Sequence, residues 1–191
     1  MRYVLASDNE HKLREIRDVL PANVQLMKQS DFDIESAAET GLTFIENALL
    51  KARHATAASG LPAIADDSGL EVDALSGQPG IYSSRFAGEH ASDSENVQKL
   101  LTEMVGCEAR SARFRCVIVM LRHEFDPAPV IAQGSLEGEI LSEIRGSAGF
   151  GYDPIFFLPD RNKTVAELSL SAKNRISHRA QALQILIPTL S

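Results

Sequence analysis

Short apolar runs alternate with polar turns along this chain, a pattern that is typical of β-strands. The strand-like runs are residues 3–6, 24–27, 63–66, 114–121, stretches within 130–140, and 155–157. The run that ends at Leu121 gives the strongest strand prediction, because it is long and unbroken after Arg115.

Between these runs, apolar residues recur at helical spacing, and hydroxyl residues stand at the predicted helix starts. Thr43 with Glu46 and Ser92 with Glu95 are capping boxes, and the first begins an alanine-rich helix that ends before Gly60. The first helix carries Leu13, Ile16 and Leu20 before Pro21, and the helix after Ser92 carries Val97, Leu100, Leu101 and Met104. A short helix is capped by Thr164 with Glu167, and the final helix, which starts near Ser177, carries Ala180, Leu183 and Ile187. Interleaved strands and helices without a linker or repeat predict one α/β domain over residues 1–191.

Composition narrows the class of protein. The 191 residues are 44% hydrophobic, enough for one buried core or for two lobes that share a sheet. A net charge of -7 disfavours nucleic acid and anionic membranes as partners, so an anionic substrate needs a local cluster of cations.

There is no apolar run of about 18 residues and no signal peptide at the N-terminus, so we expect a cytoplasmic protein. Cys116 lies in an apolar run and is expected to be a buried thiol.

Two adjacent carboxylates, Asp66 and Asp67, follow the apolar run at 61–65. Burying two unpaired carboxylates is costly, and Mg²⁺ is a natural partner because it takes one or two carboxylates together with substrate phosphates. The alternative is a polar exit from a strand, since Asp, Ser and Gly are common in turns and Ser68-Gly69 follows. In an extended segment the two carboxylates point to opposite faces, so one suits chemistry and the other suits holding the site in place.

Two cationic segments are candidate phosphate sites. Residues 7–12 join the first strand to the first helix, whose N-terminal amides can bind phosphate, and Lys12 is easier to explain if an anion lies beside it. The alternative is a solvated lysine near a helix cap. Asn47, Lys51 and His54 form a polar stripe on the second helix, which either lines a cleft or faces water, and Glu39 before that helix can reach a metal.

Two later segments are candidates for recognising a base. Phe150-Gly151-Tyr152-Asp153 places aromatic faces in a glycine-rich loop, where they can stack on a base, or they lead a strand into the core. Ser177-His178-Arg179 begins the last helix and offers hydrogen-bond donors, or it is a cap followed by surface residues. Together with the acid pair and the lysines, these segments are the ingredients of a nucleoside triphosphate site.

The chain closely resembles the inosine and xanthosine triphosphate pyrophosphatases, also called XTP/dITP diphosphatases. The matching stretches, in family order, are residues 7–12, 39–48, 65–70, 79–85, 150–154 and 177–179. One departure lies in the first stretch, which reads Ser-Asp-Asn where many members have Thr-Gly-Asn. Asp8 therefore adds a negative charge that is expected to weaken phosphate binding slightly.

The resemblance implies an elongated mixed β-sheet flanked by helices, in two lobes with a substrate cleft between them, and a homodimer. It implies Mg²⁺-dependent hydrolysis of ITP, dITP and XTP, which keeps these purine nucleotides out of DNA and RNA. The implied roles are phosphate binding by Ser7, Asp8, Asn9, Glu10, His11 and Lys12; proton acceptance and Mg²⁺ binding by Asp67, with Glu39 as second metal ligand; charge neutralisation by Lys51; substrate contact by Ser68; and a base and sugar pocket of Phe150, Gly151, Tyr152, Asp153, Lys173, His178 and Arg179. Two alternatives stay open: a pyrophosphatase for pyrimidine or other modified nucleotides, and a nucleotide-binding regulatory module without turnover.

Overall fold

The computed structural model describes residues 1–190 and confirms the α/β prediction. The strands are β1 (Arg2–Leu5), β2 (Gln25–Lys28), β3 (Ala63–Val72), β4 (Ser111–Leu121), β5 (Val130–Ile140), β6 (Phe156–Leu158) and β7 (Lys163–Thr164). The helices are α1 (Glu10–Arg17), α2 (Phe44–Ser59), α3 (Asp93–Glu103), α4 (Leu170–Ile176) and α5 (His178–Leu186). Short 3₁₀ turns lie at Gln29–Phe32, Asp73–Leu75, Gly80–Arg85, Pro159–Arg161, Val165–Glu167 and Ile187–Thr189.

The seven strands form one sheet in the order β2-β1-β3-β4-β5-β6-β7. Strand β1 runs parallel to β2 and β3, whereas β6 is antiparallel to both β5 and β7. The sheet is therefore mixed, as expected. The elongated shape and the substrate cleft stay predictions.

The chain divides into two compact units, and strands β3, β4 and β5 each contribute residues to both. Unit 1 consists of Met1–Asp67, Cys116–Gly134 and the chain from His178 onward. Its apolar residues alternate along the strands between two layers. Tyr3, Leu5 and Ile64 share a layer with residues of α1 and α5, whereas their neighbours Val4 and Ala65 share a layer with the alanines of α2.

Unit 2 consists of Ser68–Arg115 and Ser135–Ser177. Its core joins the apolar face of α3, including Val97 and Leu100, to strand residues such as Leu70. The rings of Phe114 and Phe156 lie in the same core, with centroids 4.4 Å apart. The helix face predicted from the spacing of these apolar residues is thus the buried one.

One local prediction was wrong, and one helix was not predicted. Residues 66–69 do not form a turn, because β3 continues through them to Val72; turn propensity loses here to pairing of the carboxylates, described below. Helix α4 was not predicted; it begins at the cap Ser169, whose hydroxyl accepts a hydrogen bond from the amide of Ala172. Cys116 is buried, as expected, and neither cysteine forms a disulfide. None of the helices in residues 1–190 is both long enough and apolar enough to cross a membrane.

Candidate active site

Successive side chains of β3 point to opposite faces of the sheet, which separates the carboxylates of Asp66 and Asp67. Asp66 follows Ile64 on the face covered by α1 and α5, and Asp67 follows Ala65 on the face covered by α2. Both side chains are almost fully buried, at 0% and 8% exposure. Each carboxylate therefore depends on the cations that its own face supplies.

On the α2 face, one ammonium group joins two carboxylates. Lys51 Nζ lies 2.8 Å from Asp67 Oδ1 and 2.8 Å from Glu39 Oε1. Lys51 and Asn47 are one turn apart on α2, and Asn47 is completely buried with its Nδ2 atom 3.4 Å from Asp67 Oδ2. The polar stripe predicted on this helix thus does not face water at these two positions.

Burial and charge act in opposite directions on this pair. Burial raises the pKa of the Asp67 carboxyl above its ordinary value, and the charge of Lys51 offsets only part of that rise. Burial alone would lower the pKa of Lys51, but the nearby carboxylates of Asp67, Asp66 and Glu39 outweigh it and raise that pKa. Lys51 is therefore a permanent cation, while Asp67 is a stronger base than an exposed aspartate.

On the opposite face, Asp66 is held by two cations. Its Oδ2 atom lies 3.1 Å from Lys12 Nζ and 3.1 Å from Arg179 Nη2. The Arg179 guanidinium is 2% exposed and also binds Glu15 of α1. Burial alone would lower the pKa of Arg179, but the nearby carboxylates of Asp66 and Glu15 outweigh this effect and raise that pKa. Neither Lys12 nor Arg179 is a solvated surface residue, so those two alternatives are wrong.

The segment before α1 is fixed by its own side chains. Asn9 caps the helix, and its Oδ1 atom accepts hydrogen bonds from the amides of His11 (3.0 Å) and Lys12 (3.1 Å). The Asp8 carboxylate accepts a hydrogen bond from Gln29, and Glu10 pairs with Lys28. The extra charge at Asp8 is therefore directed towards the 3₁₀ turn that begins at Gln29.

In unit 2, the loop at 149–153 is built around one carboxylate. Asp153 Oδ2 accepts hydrogen bonds from Lys173 Nζ at 2.8 Å and from the Phe150 amide at 3.1 Å. The same ammonium lies 4.4 Å from the centroid of the Phe150 ring. Gly149 has a φ of +83°, and a Cβ there would come within 2.1 Å of Asp153 Oδ2, so only glycine fits. Three of the residues that the resemblance implies for the base and sugar pocket, Phe150, Asp153 and Lys173, therefore contact one another.

Tyr152 in this loop belongs to the core. Its side chain is buried, its hydroxyl donates to the Ser83 carbonyl at 2.8 Å, and burial raises its pKa. The adjacent Gly151 amide donates to Asp93 at the start of α3, at 2.6 Å. Of the two aromatic rings, Phe150 is therefore the one suited to stacking.

Three predicted residues remain. Ser7 lies in the segment before α1, where its Oγ atom accepts a hydrogen bond from the Asn9 amide at 3.2 Å. Ser68 lies within β3, and His178 begins α5, where it is 7% exposed. The β5 residue Gly134 allows this close packing, because a Cβ there would lie 2.2 Å from the His178 carbonyl oxygen. Sequence reasoning assigned no role to Glu15, although its position three residues after Lys12 places it on the same side of α1.

In residues 1–190, no group of three or more His, Cys, Asp and Glu side chains is arranged to hold a metal ion. Glu39 and Asp67 are two carboxylates that share the Lys51 ammonium. Two carboxylates that converge on one cation suit an ion whose other ligands come from phosphate and water.

The fold and these charges define an α/β protein with paired carboxylates and lysines suited to a phosphate-rich anion. The chain belongs to the Ham1 family, whose model matches residues 3–189. A dITP/XTP pyrophosphatase from Vibrio parahaemolyticus is 55% identical over 193 residues, which cover 100% of this chain and 96% of that protein. A dITP/XTP pyrophosphatase from Escherichia coli K12 is 54% identical, with 99% and 98% covered.

The solved structures agree with the sequence relatives. A HAM1 protein from Coxiella burnetii superimposes with a TM-score of 0.95 and 49% identity, covering 100% of this chain and 98% of that one. The family resemblance read from the motifs is therefore confirmed, as is the mixed-sheet fold.

Proposed function

We propose that this protein hydrolyses the non-standard purine nucleotides ITP, dITP and XTP to the nucleoside monophosphate and pyrophosphate, using Mg²⁺. The observation that carries the proposal is the buried cluster in which Lys51 joins Glu39 and Asp67, because it combines a base with a fixed positive charge. The pyrophosphatases at about 55% identity over the whole chain support the same reaction.

Asp67 is the proposed proton acceptor. The oxygen of a water molecule forms a bond to the α-phosphorus, its proton passes to the Asp67 carboxylate, and the bond from the α-phosphorus to the bridging oxygen breaks to release pyrophosphate. The raised pKa of Asp67 favours this transfer, because a base works best when its pKa approaches the working pH. Lys51 stays protonated and balances negative charge that develops on the phosphates.

Glu39 and Asp67 are the proposed ligands of Mg²⁺. Both carboxylates converge on one cationic nitrogen, so their oxygens face a common point at which Mg²⁺ would also find ligands from phosphate and water. Bound there, Mg²⁺ would neutralise phosphate charge, the main requirement of phosphoryl-transfer chemistry.

Base selection is proposed to rest on the carbonyl at purine position 6, which adenine replaces with an amino donor. A buried donor that meets adenine's amino group has no acceptor, and such a mismatch discriminates strongly. The Arg179 guanidinium is occupied by Asp66 and Glu15. We therefore assign the donors to His178 and to the backbone amides of the first turn of α5. Phe150 is assigned to stacking on the base, with Lys173 and Asp153 fixing its loop.

One assay tests the reaction and its two alternatives. Pyrophosphate release from ITP, dITP, XTP, GTP, ATP and a pyrimidine triphosphate is measured with Mg²⁺ and with EDTA. We expect Mg²⁺-dependent turnover with higher kcat/KM for ITP, dITP and XTP. Preferred turnover of the pyrimidine nucleotide would instead support the related pyrophosphatase, and binding without turnover would support a regulatory module.

Labelled water tests the site of attack. Hydrolysis in ¹⁸O-water should place the label in the monophosphate, because the water oxygen bonds to the α-phosphorus. Label in pyrophosphate would contradict the proposed step.

The proposal also covers the oligomeric state of the protein and the compartment in which it acts. We propose a homodimer that acts in the cytoplasm on the nucleotide pool, without a nucleic-acid partner; the net charge of -7 supports the last point. Sedimentation should give twice the mass of the 20.8 kDa chain, and a monomer would contradict this.

A further inference from the structure

The segment that carries Glu39 is fastened along α2 by successive side chains of that helix. The contacts are His54 Nε2 with the Glu35 carbonyl (2.9 Å), Lys51 Nζ with Glu39 Oε1 (2.8 Å), Asn47 Oδ1 with the Gly41 amide (2.8 Å) and Glu46 Oε2 with the Leu42 amide (2.8 Å). The approach is closest at Gly41, where a Cβ would lie 2.6 Å from Glu46 Cβ and 2.8 Å from Asn47 Oδ1. The position of Glu39 is therefore set by α2.

Of these four helix residues, Asn47 is the one that contacts both a backbone amide of the segment and the carboxylate of Asp67. A backbone amide is only a donor, so the atom that faces Gly41 must be Oδ1. The Nδ2 group is thereby turned to Asp67 Oδ2, at 3.4 Å. Asp67 thus meets Lys51 through one oxygen and Asn47 through the other.

We infer that Asn47 is a positioning residue for this reaction. It sets the rotation of the Asp67 carboxylate relative to Lys51, and through Gly41 it holds the segment that presents Glu39. The inference rests on the proposed hydrolysis. The Asn47 side chain is completely buried, and its hydrogen bond to the Gly41 amide fixes its orientation. The Asp67 carboxylate, which binds the other end of that side chain, therefore has little freedom to rotate.

The chain supplies a matched control in Asn96. Thr43-x-x-Glu46-Asn47 at the start of α2 is repeated as Ser92-x-x-Glu95-Asn96 at the start of α3. Asn96 is also buried, at 2% exposure, and its Oδ1 atom accepts from the Ala87 amide at 2.8 Å. Its Nδ2 group, however, donates to the Ser84 carbonyl at 3.1 Å, not to a carboxylate.

The test compares Asn47→Ala and Asn47→Asp with Asn96→Ala and Asn96→Asp. Each aspartate keeps the acceptor for the backbone amide but loses the donor. Melting temperatures are measured first, and kcat and KM for ITP are then measured below the lowest of them. Affinity for Mn²⁺ without nucleotide, followed by electron paramagnetic resonance, is compared for wild type and the two alanine variants.

Both Asn47 variants should lower kcat about tenfold to a hundredfold with little change in KM, as is usual when a residue that orients a ligand is lost. Asn47→Ala should also weaken Mn²⁺ binding by about tenfold. The Asn96 variants should lower the melting temperature comparably and leave kcat and Mn²⁺ affinity within about twofold of wild type, since they touch neither carboxylate.

Equal kcat losses at Asn47 and Asn96, or an Asn47→Ala variant within twofold of wild type in both kcat and Mn²⁺ affinity, would overturn the inference. If Asn47→Ala does not fold, the isosteric Asn47→Asp still decides through its kcat. A wild type that releases no pyrophosphate would instead refute the proposed function, so the two failures are distinguishable.

Discussion

Substitution of Arg179 by methionine should destabilise the protein strongly. The change removes the guanidinium that lies between the buried carboxylates of Asp66 and Glu15, while Lys12 stays beside Asp66. Removing one partner of a buried ion pair costs about 3–5 kcal/mol. For a chain of this size each kcal/mol lowers the melting temperature by about 2–4 °C, so the midpoint should fall by about 10 °C.

The loss is measured by thermal and urea unfolding of wild type and variant at about pH 7.5. Urea unfolding gives the difference in the free energy of unfolding, and the thermal scan gives the shift of the midpoint.

Arg115→Met is the matched control, because Arg115 is 43% exposed and pairs with Glu71 near the surface. Its unfolding midpoint should stay close to that of wild type, since exposed ion pairs contribute little. A deficit in Arg179→Met below about 1 kcal/mol would refute the argument that these charges depend on each other.

Three further predictions concern chemistry and folding. Asp67→Asn should remove most ITP turnover while circular dichroism stays native, whereas Asp66→Asn should be the milder change in kcat; an equal loss would reverse the two roles. Because burial raises the Asp67 pKa, this carboxyl should titrate above the ordinary value of about 3.9 in the metal-free protein, and Lys51→Met should raise its pKa further; a downward shift in an NMR titration would contradict this. Ser92→Ala removes the acceptor for the Glu95 amide and should cost about 1 kcal/mol in urea unfolding, with no change in KM.

Several features of the molecule could be predicted from the chain alone because they depend on neighbours in sequence. Ser92 with Glu95 and Thr164 with Glu167 form the predicted capping boxes, since all the atoms involved lie within one turn. At Thr43 the hydroxyl also caps as predicted, while the Glu46 carboxylate reaches one residue further back, to the Leu42 amide. The separation of the acid pair between two faces needed only the period of a β-strand.

Long-range partners could not be predicted in this way. Asp66 and Arg179 are 113 residues apart in sequence, and their contact exists because α5 packs on the same face of the sheet as Ile64. The motif at Ser68-Gly69 indicated a turn, but β3 continues through it to Val72. The two preceding carboxylates each have a cation on their own face of the strand, which stabilises the extended conformation.

The sequence by itself determined the elements, their buried faces and the chemical types of the site residues, since hydrophobic period and local hydrogen bonds carry that information. Only the tertiary structure decided which charged side chains pair with each other. It placed Lys51 and Asn47 on the two oxygens of Asp67, and it turned Arg179 towards Asp66 and Glu15. The physical reason is that a sequence period specifies the direction of a side chain, whereas its partner depends on which helix packs against that face.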